Sequence, residues 1–136
     1  MRIHLDLEST QLIGMSEKVL STPIKDLFEY EDVYHIVVPF NKLSQALGKG
    51  AENVHKLSKR LNKKVVLHQF DKNPEKFISN IIYPLKADSI KLEGSDIIVN
   101  VQDRKTKSLI KGRGDKNLML INRLIKRFFN NTVKII

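Results

Sequence analysis

Apolar residues in the first half of the chain alternate between helical spacing and strand-like runs. From Glu8 to Leu20 they recur every three or four positions, which predicts a helix. Shorter runs rich in Ile, Val and Leu predict strands. The predicted elements of this half are a strand over 3–5, a helix over 8–20, strands over 24–29 and 33–38, helices over 41–47 and 52–61, and a strand over 63–70.

The second half repeats this order. It predicts a helix over 74–82, a hairpin of strands over 88–93 and 96–102 around Gly94-Ser95, helices over 106–110 and 116–130, and a strand over 132–136. The last helix is predicted to be about four residues longer than its counterpart, so that Val133 takes the place of Val65. The break at 71–74 predicts two domains, residues 1–71 and 72–136, each of a size that is marginal alone.

A six-residue pattern marks corresponding points of the two halves. Gly48-Lys49-Gly50-Ala51-Glu52-Asn53 and Gly112-Arg113-Gly114-Asp115-Lys116-Asn117 share glycine, a base, glycine and a later asparagine. Glycine removes the Cβ that would block a close approach, and free N–H groups at a helix start accept an anion. One such turn is also an ordinary helix C-cap, but its duplication favours a phosphate-binding turn in each half.

The net charge of +9 is unevenly distributed. Residues 1–40 carry three basic against seven acidic side chains, whereas residues 41–70 carry seven against one and residues 72–136 carry fourteen against six. Basic charge thus surrounds and follows the glycine turns, as expected for a protein whose partner is a polyanion. Solvated, lysine-rich helix faces are the alternative explanation.

Several classes of function are excluded or disfavoured. The chain has no cysteine, and its four histidines are scattered along the sequence, so we expect no metal site and no cofactor. A P-loop, a Ser-His-Asp set and a nucleophile elbow are absent, which disfavours an enzyme with catalytic residues of these kinds. No signal peptide or membrane span is predicted, and we expect a cytoplasmic monomer.

Particular segments resemble the stand-alone archaeal NusA-like proteins, which consist of two prokaryotic-type K-homology (KH) domains. The matching segments are 46–50 with Asn53-Val54, 61–65, the acidic-Pro-Glu-x-Phe-Ile segment within 71–80, Pro84-Leu85-Lys86-Ala87 and 112–114 with Asn117-Leu118. The resemblance covers essentially all 136 residues. It implies an α+β fold of two tandem type II KH domains, each with a small three-stranded sheet covered on one face by helices.

The resemblance also implies a function: binding of single-stranded RNA in transcription elongation or termination, with RNA polymerase as a second partner. The residues expected to contact RNA are Ala46, Leu47, Gly48, Lys49, Gly50, Ala51, Asn53 and Lys56 in the first domain and Lys111, Gly112, Arg113, Gly114, Lys116 and Asn117 in the second. Ala46 and Leu47, with Val65 and Val66, would line a groove for the bases. For Asn53 and Asn117, capping of their own helix starts is the preferred role.

The chain departs from the family at the fourth turn position, where glycine is usual and Ala51 and Asp115 stand here. A right-handed backbone at this position would tolerate alanine, whereas the carboxylate of Asp115 would compete with phosphate. The first turn is therefore the better candidate for RNA contact.

Two other functions remain open. Helices around Gly48 also fit a helix-turn-helix DNA-binding protein, although Ala51-Glu52 is a poor start for a recognition helix. An adaptor that docks on RNA polymerase or the ribosome through its acidic N-terminal segment, with weak or lost RNA binding, is the second.

Overall fold

The computed structural model describes residues 7–136, which fall into two compact units, one ending at Asp71 and one running from Lys72 to Ile136. The strand predicted over 3–5 lies outside the described residues. Both units combine helices with a three-stranded mixed sheet, so the predicted α+β class is confirmed.

The first unit follows the predicted order of elements. Its elements are α1 (Leu7–Leu20), β1 (Asp26–Tyr30), β2 (Val33–Val38), α2 (Leu43–Leu47), α3 (Glu52–Leu61) and β3 (Lys64–Gln69). Strand β2 lies in the middle of the sheet, antiparallel to β1 and parallel to β3, with Tyr34 opposite Val65.

One face of this sheet forms the core with the helices. Leu27, Ile36, Val38 and Val65 pack there with helix residues Leu20, Ala46 and Leu57. Because side chains alternate along a strand, Phe28, His35, Val37 and His68 lie on the opposite face, and they are buried as well. The sheet is thus apolar on its helix-covered face and carries two polar side chains on the other.

The second unit repeats the arrangement. Its elements are α4 (Pro74–Ile82), β4 (Ser89–Glu93), β5 (Asp96–Asn100), α5 (Arg104–Lys111), α6 (Lys116–Lys126) and β6 (Thr132–Ile135). The sheet order is β4-β5-β6, antiparallel and then parallel, with Ile97 opposite Val133. Val133 therefore occupies the place of Val65, as predicted.

Side chains cap the helix starts of this unit. The Asn73 carboxamide oxygen accepts from the N–H groups of Glu75 and Lys76 at 2.8 and 3.3 Å, and Pro74 occupies the first turn. Asp103 accepts from the N–H and the hydroxyl of Thr106, and these hydrogen bonds lower the pKa of Asp103.

Both edge strands of the second sheet also meet side chains. The Glu75 carboxylate accepts from the N–H of Leu92 on β4 at 2.8 Å. The Asn122 amide both accepts from the N–H of Val133 and donates to its carbonyl, which pins α6 to β6. Occupied edge groups are less open to pairing with another strand.

The prediction for α6 was wrong at its C-terminal end. The helix stops at Lys126 rather than continuing to residue 130, and N–H groups of Arg127 and Phe128 make tighter bonds to the third residue before them. Phe128 packs edge-on against Phe77, with ring centroids 5.8 Å apart. Phe128 and Phe129 lie beyond the end of the helix and pack against Phe77 of α4. Their positions continue the helical spacing in the sequence, although the helix itself has ended.

Candidate nucleic-acid interface

The first glycine turn joins α2 to α3 through a tight, hydrogen-bonded bend. Gly48 ends α2 with φ 75° and ψ 177°, and its N–H donates to the Ser44 carbonyl at 3.1 Å. Gly50 and Ala51 then adopt left-handed conformations with φ 60°, and the Ala51 N–H donates to the Gly48 carbonyl at 3.2 Å. Lys49 stands exposed at the tip of the bend.

The second turn, between α5 and α6, repeats this geometry. Gly112 has φ 77° and ψ 166°, Gly114 has φ 61°, and Asp115 has φ 62°. The largest difference between corresponding torsions of these residues is the 11° that separates 177° from 166°. Arg113 is exposed at the tip, as Lys49 is in the first turn. The sequence repeat is therefore also a repeat of backbone shape.

The first glycine of each turn is required for two reasons. A positive φ with an extended ψ is a region that glycine alone adopts readily. A Cβ on Gly48 would also lie 2.8 Å from the Asn53 Nδ2, and one on Gly112 would lie 2.9 Å from the backbone nitrogen of Asn117. The middle glycines have open space around them, so only their positive φ favours glycine there.

The asparagines tie the turns together, in a role different from the predicted one. Asn53 Nδ2 donates to the Gln45 carbonyl at 3.5 Å, and Asn117 Nδ2 donates to the Leu109 carbonyl at 3.2 Å. These carbonyls belong to the last turns of α2 and α5, where helix bonding leaves acceptors free. The predicted capping of their own helix starts was wrong: each amide braces the preceding helix against the following one.

The fourth turn position does not have the right-handed backbone that would tolerate alanine without strain. Ala51 and Asp115 are both left-handed, with ψ of 27° and 22°. A left-handed backbone costs an L-residue about 1 kcal/mol or more, which gives a physical reason for glycine at this position. Asp115 makes no side-chain cap at the start of α6 and pairs instead with Lys111, at 3.8 Å.

The predicted base groove of the first unit is only partly accessible. Ala46 is fully buried against Leu20 and Leu57, and Val65 is 6% exposed within the same core. Leu47 and Val66 are half-buried. Ala46 therefore supports the turn from inside and offers no surface to a ligand.

The cations of the predicted site lie on the turns and the helices beside them. Lys49 and Lys56 are exposed on the first turn and α3, and Arg113 and Lys116 are exposed on the second turn and α6. Lys111 is half-buried at the end of α5. Each unit thus presents basic side chains on its glycine turn and on the helix that follows, and the second unit adds Lys111 before the turn.

A groove that was not predicted from the sequence lies beside the second turn. It has a volume of about 600 Å³ and is lined by Lys105, Ser108, Leu109, Lys111, Arg113 and Asp115. Leu109 is 51% exposed in it. The signal was present in the sequence, because aligning the two turns puts the apolar Leu109 opposite the polar Gln45.

Two of the scattered histidines also meet. His35 Nδ1 and His68 Nε2 lie 2.9 Å apart on adjacent strands, so that one ring donates and the other accepts. Burial, and then the neighbouring His35, lower the pKa of His68 to about 3. Among residues 7–136 no group of three His, Asp or Glu side chains is placed to hold a metal ion. His68 is therefore uncharged near neutral pH, and the pair adds a hydrogen bond between β2 and β3.

Comparison with known proteins places the chain in a family. Proteins named "Probable transcription termination protein NusA" align with it from Methanococcus vannielii, at 30% identity over 87% of this chain and 70% of the relative, and from Methanocaldococcus jannaschii, at 29% identity over 93% and 70%. The chain belongs to the archaeal NusA-like transcription termination proteins. A Thermoplasma acidophilum relative of the same name is 25% identical over 94% of this chain and 91% of its own length.

This family membership supports a role associated with transcription, and the names of these relatives describe no enzymatic activity. The search against family models finds no match. Among solved structures, the crystal structure of APE1850 matches with a TM-score of 0.78 at 17% identity, covering 97% of this chain and all of that one. This likeness shows the fold. Within residues 7–136, none of the helices combines the length and hydropathy that a bilayer crossing requires.

Proposed function

We propose that this NusA-like chain binds single-stranded RNA through two type II KH units and acts in transcription elongation and termination. The observation that supports this most directly is the repeated turn: two bends of closely similar shape, each with an exposed cation between two glycines and each at the start of a helix. The same backbone shape occurs in both units although the fourth residue is strained in it. Such strain is expected where the backbone itself takes part in binding.

In this proposal each Gly-Lys/Arg-Gly turn is a clamp that holds the RNA backbone. The clamp acts through the positive charge at its tip and through the absence of side chains on its glycines. Lys49 and Arg113 contact phosphates at the turn tips, and the open space around Gly50 and Gly114 lets the RNA backbone come close. N–H groups at the starts of α3 and α6 add partial positive charge. Each KH turn of this kind holds about four nucleotides of backbone.

The two rival functions have less support. At the start of α3, where a helix-turn-helix protein places base-reading side chains, stand the left-handed Ala51 and then Glu52. An acidic docking surface is weakened because Lys63 bonds to Glu29 and lies 3.2 Å from Asp32. The hydrogen bonds to Glu29 and then Asp32 raise the pKa of Lys63. RNA polymerase remains the expected protein partner of an RNA-binding factor of this family.

A binding experiment tests the proposal. The wild type is titrated with a random single-stranded RNA pool and with duplex DNA at two salt concentrations, beside Lys49→Asp and Arg113→Asp. We expect salt-sensitive preference for RNA, with each substitution lowering affinity about 10-fold and reducing the salt dependence. Lys91→Asp, which reverses an exposed charge on β4 rather than in a turn, is the matched control and should change affinity much less.

Equal binding to RNA and duplex DNA, unchanged by either turn substitution, would contradict the clamp. If Lys49→Asp lowers the RNA affinity and Arg113→Asp does not, the clamp is restricted to the first unit. Circular dichroism of each variant checks that the fold is retained.

A further inference from the structure

The groove beside the second turn combines three kinds of surface. Lys105, Lys111 and Arg113 supply positive charge, Asp115 supplies a carboxylate that is 54% exposed, and Leu109 supplies an exposed apolar side chain. Its volume of about 600 Å³ is in the range of sites for small ligands and exceeds what a phosphate needs. The groove can therefore accept more of a nucleotide than its backbone.

The first turn presents none of this combination. In the positions of Leu109, Lys111 and Asp115 it has Gln45, Leu47 and Ala51. The Gln45 amide donates to the Ser21 carbonyl, so this side chain is tied to the end of α1. With the backbone shape nearly equal, a difference between the ligands of the two turns must come from side chains, and these three positions change the charge or polarity beside the turn.

A carboxylate among cations selects against phosphate and in favour of hydrogen-bond donors. Asp115 attracts the same cations that a phosphate would use, and it repels the phosphate itself. It accepts hydrogen bonds from a base edge that carries N–H groups. Guanine is the base with two adjacent donors, N1–H and the N2 amine, on its Watson–Crick edge, and they match the two oxygens of one carboxylate.

We propose that the groove beside the second turn binds a guanine base, with N1–H and the N2 amine donating to the Asp115 carboxylate and one face of the ring against Leu109. Lys105, Lys111 and Arg113 then hold the flanking phosphates. This assignment rests on the proposed RNA-binding function and adds base specificity to it. The first turn has Ala51 in the place of Asp115 and Gln45 in the place of Leu109, and it holds RNA with little regard to sequence.

The test uses single-stranded uridine oligonucleotides that carry isolated guanosines or, at the same positions, inosines, which lack only the N2 amine. We expect the wild type to bind the guanosine RNA about 10-fold more tightly. Asp115→Asn, which keeps the side-chain shape, should bring the two affinities within about twofold while raising affinity for the inosine RNA, since a repelling charge is gone. Asp115→Ala, which copies the residue of the first turn, should remove the preference altogether.

Control variants separate the groove from the clamp. Lys49→Asp should weaken both RNAs equally, leaving their ratio unchanged, and Glu93→Gln removes an exposed carboxylate of the same unit without effect on the ratio. Leu109→Gln should lower affinity for both RNAs a few-fold. Equal wild-type affinity for guanosine and inosine RNA, or a ratio that Asp115→Asn leaves intact, would overturn the guanine assignment while leaving the clamp standing. Absence of RNA binding in the wild type would overturn both.

Discussion

The two glycine turns have one backbone and two different surroundings. Their torsions agree closely, and their asparagines make the same bracing bond. The side chains differ, however, since Ala51 corresponds to Asp115 and Gln45 corresponds to Leu109. The bend therefore depends on the first glycine, where a Cβ would clash, and on the asparagine beside it. Side chains around it are free to differ, and it is through them that two copies of one fold can acquire different ligands.

The two sheets differ in the same manner. His35 pairs with Val66 on the neighbouring strand, and Ile98 pairs with Lys134 at the corresponding point of the second sheet. His68 and Ile136 each lie two residues further on. The first unit therefore has a hydrogen-bonded histidine pair where the second has two isoleucines. The strand pairing accepts either, but only the first can respond to acid.

The largest expected effect is a selective loss of stability of the first unit in acid. The pKa of His68 is about 3 when folded and 6.5 when unfolded, so between these values the unfolded state binds more protons. This contribution is complete above pH 6.5 and is lost as the pH falls towards 3, by up to roughly 5 kcal/mol. Amide hydrogen exchange between pH 7 and 4, corrected for its intrinsic rate, should show β2 and β3 losing protection before β5 and β6.

A double variant sharpens this comparison. His35→Ile with His68→Ile copies the residues of the second sheet and removes the histidine pair. We expect its first unit to keep its protection down to pH 4. Simultaneous loss of protection in both wild-type sheets, or unchanged acid sensitivity in the double variant, would show that the histidine pair is not the cause.

The next largest effect comes from the first glycine of each turn. Gly112→Ala should cost about 3 kcal/mol of unfolding free energy, because its Cβ meets a backbone nitrogen that cannot move without shifting the start of α6. Gly48→Ala should cost about 2 kcal/mol, because the three atoms nearest to its Cβ all belong to the side chain of Asn53. Urea unfolding measures both.

Removal of the asparagines tests this reasoning. Asn53→Ala should cost less in the Gly48→Ala background than in the wild type, since the clash disappears with the amide. Asn117→Ala should reduce the destabilisation caused by Gly112→Ala to a smaller extent, because the backbone nitrogen of residue 117 still lies close to the new Cβ. The explanation from these contacts would be contradicted if both glycine substitutions lowered the unfolding free energy equally and both asparagine substitutions reduced that loss equally.

Most of the architecture could be predicted because it follows from local patterns. The spacing of apolar residues located nearly every helix and strand, and the glycine pattern located both turns. The end of α6 could not be predicted, since Phe128 and Phe129 continue the helical period but pack against Phe77 from outside the helix. The spacing of apolar residues shows which side chains are buried, but it does not show whether they pack from within a helix or from the segment after it.

The site was less predictable, because its details depend on contacts between separate elements. The pairing of His35 with His68 requires the parallel register of β2 and β3, which no local pattern gives. The bond from Asn53 to α2 requires the finished bend. The handedness at Ala51 was open to prediction, since the usual glycine there is itself a sign of positive φ.

The smallest effect, and the finest test of the comparison, is at the fourth turn position. Ala51→Gly should raise the unfolding free energy by about 1 kcal/mol, because glycine adopts φ 60° without strain. Asp115→Gly should change it by less than about 0.5 kcal/mol: aspartate tolerates the left-handed region better than alanine, and its replacement also loses the helix-start charge and the ion pair with Lys111. Asp115→Asn, which keeps the left-handed preference but not the charge, separates those two terms in the same urea experiment. A gain at Asp115→Gly as large as at Ala51→Gly would mean that strain alone governs both positions, and that the charge of Asp115 adds nothing to the folded state and serves only what binds there.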